Sequence, residues 1–204
     1  MRIWSDSFGL RARIPAQFAM GQADGFAPNR NPHLAWADAP ADTRSFALLC
    51  IDTDAPTDPA TVGRDDLQIP VDQPRAEFVH WVLVDLPADL REIAAGSCSD
   101  GVTAHGKQHP PGPSGTRQGL NDYTGWFAGS ADMAGDYAGY DGPYPPFNDL
   151  RLHRYFFRLF ALDVARLALP ERFTAGDVFH AMHGHVLAEA AVWGTYSLNP
   201  VVVG

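Results

Sequence analysis

Two aspartates, two histidines and a tyrosine carry the chemical interest of this 204-residue chain. The stretch ALLCIDTDAPT runs from five apolar residues straight into Asp52 and Asp54. Side chains two apart on a strand share a face, so both carboxylates are expected on one side, with Leu48 and Cys50 behind them. By the same rule His153 and Tyr155, in LHRYFFRLFAL, pair with each other while Arg154 turns away, and His80, in FVHWVLVDLP, shares its face with Phe78 and Val82. A carboxylate on one imidazole nitrogen favours the imidazolium, whose other N–H can then serve an anion. The same groups could also hold a divalent metal or let a histidine act as general base. Each fragment has a plain structural reading beside these: a polar turn after a strand, a hydrogen-bonded core histidine, and, for GYDGPYPP, a rigid turn.

The segments that would position these residues are strand-like. The runs starting at Ser45, Glu77 and His153 are rich in Phe, Val, Leu and Trp and end in Pro, Asp or Gly, with weaker candidates near Ile14 and over 33–36. Their near-continuous apolarity predicts central strands covered on both faces, as in two packed sheets. Helical spacing of Val178, Met182, Val186 and Ala190, with Thr174 and Asp177 as a capping pair and Gly194 as the stop, predicts one long helix over 173–194. A shorter helix is expected over 88–95, ended by Gly96. Residues 96–150 hold 11 of the 19 glycines and 6 of the 17 prolines, so this stretch is expected to be a long loop region, ordered by its aromatics.

Composition bounds the rest. With 46% apolar and 19% charged residues the chain reads as one globular domain over residues 1–204. A formal charge of -9 opposes nucleic acid and anionic membranes as partners. No stretch approaches the roughly 18 apolar residues of a spanning helix, and the N-terminal residues lack a signal-like apolar region. A cytoplasmic protein starting at or near Met1 is the expectation. Cys50 and Cys98 form neither a disulfide framework nor a metal spacing, and read as a core residue and a loop thiol.

Taken in order, DTDAPT, FVHWVLVDLPAD, GYDGPYPP, HRYFF and the following ALD resemble the signature blocks of the phosphatidylethanolamine-binding protein family, which includes the Raf kinase inhibitor proteins. NPHLAWADAP and HGHVLAEAAVWGTYS resemble its bacterial branch, so the likeness covers nearly the whole chain. The resemblance implies a mostly β fold, a sandwich of two antiparallel sheets, here with a C-terminal helix and a long Gly/Pro-rich loop region. It also implies a pocket for phosphate-like anions or phospholipid headgroups, built from Asp52, Asp54, Pro56, His80, Gly139, Gly142, Pro143, Pro145, Pro146, His153 and Tyr155. Backbone N–H groups of the glycine segment and the Tyr155 hydroxyl could complete an anion's shell. Thr53 stands where many relatives have Pro, Tyr144 where bacterial members often have Cys, and the segment 57–76 is longer than compact members need.

The expected function is therefore binding of a small anionic or phosphorylated ligand, with no cofactor and no resident metal, and with a regulatory role toward a protein partner by family analogy. A homodimer is compatible with the chain. The alternative is a metal-assisted or His/Asp-based hydrolase using the same pocket, although GxSxG, Walker and HExxH patterns are absent. His183 and His185 do not face each other on a helix, and His180 with His183 makes only a lone pair. A cis peptide is expected before Pro56 or within GPYPP.

Overall fold

Residues 1–202 are described by a computed structural model. Three strands dominate: β5 (Ser45–Pro56), β6 (Arg75–Pro87) and β9 (His153–Leu162), each an apolar run named above. They follow the short strands β1 (Arg2–Trp4), β2 (Gly21–Gln22), β3 (Gly25–Phe26) and β4 (Leu34–Ala37). The rest are β7 (Glu92–Ile93), β8 (Arg117–Gln118) and β10 (Val186–Tyr196), with two helices, α1 (Tyr123–Trp126) and α2 (Ala175–Ala181). One sheet has the order β10-β9-β5-β6-β8 and a second β1-β4-β7, and the named strands pair antiparallel throughout.

The central strands are apolar on both sides because both sides are covered. Phe46, Leu48, Cys50, Trp81 and Phe157 pack inward against Ile3, Leu34, Trp36 and Ile93 of the smaller sheet. Trp36 meets Phe46 edge-on at 5.6 Å, a geometry that adds roughly 0.5–1.5 kcal/mol beyond the area buried. On the outer side Ala47, Leu49, Ile51, Val82 and Phe160 are sealed by Leu167, Phe173, Val178 and Met182.

Two helix expectations are corrected. The capping box of Thr174 and Asp177 starts a helix, but α2 ends at Ala181 and the chain turns at Gly184, whose φ is +82. Residues from Val186 onward form β10, laddered on β9 from Val186↔Leu162 to Tyr196↔His153. The helix-forming Leu, Ala and Glu there are overridden by tertiary pairing. Gly194, expected as a helix stop, lies inside the strand, where an added Cβ would sit 2.7 Å from Ile14 and 2.9 Å from the Ala12 carbonyl oxygen. A side chain would block that approach of the N-terminal segment. Over 88–95 there is a turn and then β7, which pairs with β4 through Leu34↔Ile93 and buries Ile93. The 96–150 region holds only β8 and α1 as regular elements, and is anchored by buried Tyr123, Tyr137 and Tyr140.

No peptide bond among the described residues is cis, which corrects the expectation at Pro56 and in GPYPP. Ala55 and Pro56 continue β5 as extended backbone opposite Ala76 and Arg75, so no tight turn is made there.

Candidate functional site

Asp52 and Tyr155 are direct cross-strand partners on β5 and β9, and His153 lies one pleat further along β9. Strand β6 brings His80 to the same place through a bulge. Cys50 pairs with Trp81 but Ile51 pairs with Val79, so the ladder slips by one residue at His80. The two-residue period breaks there: Trp81 joins the inner core while Val82 joins the outer one, and His80 keeps Phe78 but not Val82 as its neighbour.

A cavity of about 510 Å³ opens over these residues, lined by Asp52, His80, His153 and Tyr155 at its polar end and by Phe78, Tyr123, Trp126, Phe127, Tyr144 and Phe147 elsewhere. Pro56, Pro145 and Pro146 also line it. Tyr144 crosses Gly21 so closely that a Cβ on Gly21 would fall 1.9 Å from the ring, and it meets Phe26 edge-on at 6.0 Å.

The two histidines are held in opposite states. His153 is buried; its Nδ1 lies 2.7 Å from Asp52 Oδ2 and its Nε2 3.0 Å from Asp149 Oδ2. Carboxylates only accept, so both nitrogens must donate and the ring is an imidazolium. Burial alone would lower its pKa, but the Asp52 charge and the bonds to Asp149 and Asp52 outweigh it and raise it to about 9. His80 is walled by Phe78, Tyr123 and Tyr155, with ring centroids 5.1, 5.4 and 5.2 Å away. Its Nδ1–H donates to the Asp141 carbonyl oxygen at 2.8 Å. Burial pushes its pKa below the usual histidine value against the pull of Asp52 and the Asp141 carbonyl, leaving Nε2 as a lone pair without a protein partner.

Tyr155 is fully buried, and its hydroxyl has no hydrogen-bond partner. It is within electrostatic reach of Asp52 without meeting hydrogen-bond geometry, and burial followed by the Asp52 charge pushes its pKa up. An orphaned hydroxyl at the end of a cavity is the group a ligand would satisfy.

Several residues implied by the family blocks support the wall from behind. A second bulge, between Asp52 and Ala55, turns Asp54 to the opposite face. There its carboxylate takes bonds from Arg151 at 2.6 Å and from Arg154 at 2.8 and 2.9 Å. Burial would raise its pKa, but the Arg154 and Arg151 bonds hold it down to about 2. Asp54 is not among the cavity-lining residues; its backbone N–H donates to Asp52 Oδ1 at 2.8 Å. The glycine segment spends its donors internally, Gly139 N–H on the Gly119 carbonyl oxygen and Gly142 N–H on Asn29 Oδ1. Neither they nor Pro143 line the cavity.

Sequence reasoning missed two side chains. Asp149 binds His153 and takes two bonds from Arg75, at 2.5 and 3.1 Å. Asp141, buried among Asn29, Asn121 and Lys107, holds the carbonyl that fixes His80. Asp149 lies four residues before His153 in irregular backbone, so no periodicity points to it; Asp141 sits within GYDGPYPP, where a Gly- and Pro-rich turn explains an acid without any role at a site. Among the described residues no group of three or more His, Cys, Asp or Glu is arranged to hold a metal ion, and no helix is long and apolar enough to cross a membrane.

An amphipathic cavity at the end of the central strands of an antiparallel sheet has the form of a small-ligand site. The chain belongs to the phosphatidylethanolamine-binding protein family, whose model matches residues 4–197. It is 34% identical over 169 residues to the UPF0098 protein YbhB of Escherichia coli, covering 83% of this chain and 82% of that one. A UPF0098 protein of Aquifex aeolicus is 32% identical over 198 residues, covering 96% and 88%. Among solved structures, one described as a phosphatidylethanolamine-binding protein homologue from Chlamydia trachomatis matches with a TM-score of 0.66 and 26% identity, covering 96% of each chain. Escherichia coli YbcL matches in fold, with a TM-score of 0.70 at 22% identity, covering 96% and 97%.

Proposed function

We propose that the chain binds a small ligand through a phosphate-like anionic group, free or as a phospholipid headgroup, at the polar end of this cavity, with the aromatic wall taking any apolar substituent. The observation that carries the reading is the buried Tyr155 hydroxyl with no protein partner, beside the free Nε2 of His80, whose ring lies 5.2 Å from that of Tyr155 in the cavity lining. An oxyanion placed between them accepts from the hydroxyl and raises the proton affinity of Nε2, so binding draws a proton onto His80. The His153 imidazolium screens the charges of Asp52 and Asp149 from the incoming anion. The family's name supports the headgroup class. No observation of the site favours the hydrolase alternative. Two free, buried cysteines fit action in a reducing compartment, the cytoplasm.

Calorimetric titration of methyl phosphate tests this. Tyr155→Phe and His80→Ala are each expected to weaken binding about tenfold, the worth of one hydrogen bond to a charged group. Unchanged affinity in both variants would place the ligand elsewhere.

A further inference from the structure

Four charges alternate through the wall beside the cavity: Arg75, Asp149, His153 and Asp52. Asp149 is buried and takes two guanidinium bonds from Arg75, the backbone N–H of Arg151 at 2.8 Å, and Nε2–H of His153 at 3.0 Å. His153 meets Asp52 on its other nitrogen and lies over the Tyr155 ring at 6.5 Å. Every N–H of this imidazolium is therefore consumed by the protein.

The position of Asp149 is set by the long segment between β5 and β6. Ile69 N–H donates to the Asn148 carbonyl oxygen at 2.9 Å, and Leu150 N–H to the Ile69 carbonyl oxygen at 3.0 Å, bracketing Asp149. The Asn148 side chain accepts from Gly63 N–H and donates to the carbonyls of Thr61 and Leu67. Ile69 is buried beneath this contact.

We propose that Asp149, held in place by the 58–74 segment, is a specificity-determining positioning residue: it withdraws Nε2–H of His153 from the ligand, so an anion entering the cavity is read by one imidazole, His80, and not by two. The ligand part of this inference rests on the oxyanion reading above; the state of His153 does not. The extra length between β5 and β6 thereby acquires a function at the site. A chain with a free second imidazolium would bind anions more tightly and less selectively.

The test combines ¹⁵N NMR of the histidine rings with titration of methyl phosphate. In the wild-type chain near neutral pH both ring nitrogens of His153 are expected to be protonated, while Nε2 of His80 is not. Asp149→Ala should lower the His153 pKa by at least about one unit, because one of two charge-assisted partners is lost. Arg75 remains tied to the carbonyls of Asp54, Pro70 and Gln73, which favours folding of the variant. Should that variant fail to fold, Asp149→Asn, which keeps the shape and one acceptor but removes the charge, should shift His153 in the same direction by less. The Asp149→Ala/His80→Ala double variant should bind methyl phosphate about tenfold more tightly than His80→Ala alone, since a donor is returned to the ligand. An unprotonated His153 Nε2 in the wild type, an unmoved His153 pKa in a folded variant, or a double variant no better than His80→Ala would overturn the proposal. If no form binds methyl phosphate, the oxyanion reading fails, and the NMR result alone decides the role of Asp149.

Discussion

Asp52 and Asp54, two residues apart on one strand, send their carboxylates to opposite faces of the sheet, one to His153 and the other to Arg151 and Arg154. The intervening bulge separates two tasks that strand periodicity would have merged.

Substitutions at the two positions should therefore differ in kind. Asp54→Ala removes a buried carboxylate that accepts several charge-assisted bonds, and is expected to cost about 2–4 kcal/mol of stability. Its effect on methyl phosphate affinity should be small. Asp52→Ala should alter affinity directly, since Asp52 lines the cavity. Denaturant titration and calorimetry on the same preparations check both, and equal affinity losses in the two variants would contradict the division.

Stability should depend on pH through His153. Its folded pKa, about 9, lies above its ordinary value of 6.5, so its contribution is fully present below about 6.5 and is lost as pH rises through about 9. Melting temperature should fall across that window, and His153→Gln should flatten this part of the profile. A wild-type profile already flat there would mean that the ring is not held as a cation.

Ligand affinity should also fall with rising pH, for a different reason. His80 is neutral in the free protein because burial lowers its pKa, and on the proposed reading an anion bound beside Nε2 would raise it. Affinity is then greatest at low pH and is lost as pH passes upward through the bound-state value. Corrected for the ligand's own ionisation, the dependence should vanish in His80→Ala and persist in His183→Ala, whose side chain lies outside the cavity lining.

Two glycines near the cavity should respond unequally to alanine. At Gly142 a Cβ would lie 2.2 Å from the Phe18 carbonyl oxygen, a backbone atom that cannot swing away, and a loss of about 2–4 kcal/mol is expected. At Gly21 the obstacle is the movable Tyr144 ring. Gly21→Ala should cost less stability but displace Tyr144 from the cavity wall, which fluorescence quenching of nearby Trp126 or a crystal structure would register.

Much of the fold was legible because its central strands carry their own signal: the middle stretches of β5, β6 and β9 are covered on both faces, so their sequences are apolar over most of their length. The pairing of His153 with Tyr155 likewise follows from regular strand geometry, and their rings stack at 6.5 Å. Legibility failed where regularity did. The bulges near His80 and after Asp52 leave no mark in residue type, yet they decide that Val82 and Asp54 point away from the site. β10 reads as helix because Leu, Ala and Glu favour helix locally, and only the ladder with Phe157 and its neighbours makes it a strand. Asp149 depends on a contact with the 58–74 segment, distant in sequence and without repeat or motif.

Lys107 is the only lysine in the sequence. Its ammonium is 2.5 Å from Asp141 Oδ1 and largely buried, behind the carbonyl that fixes His80. Amine-directed acylation of the folded chain thus has one side chain to find, and it is shielded. The rate at which that lysine is modified becomes a clock for how often the back wall of the cavity opens, readable by mass spectrometry without engineering any label into the protein.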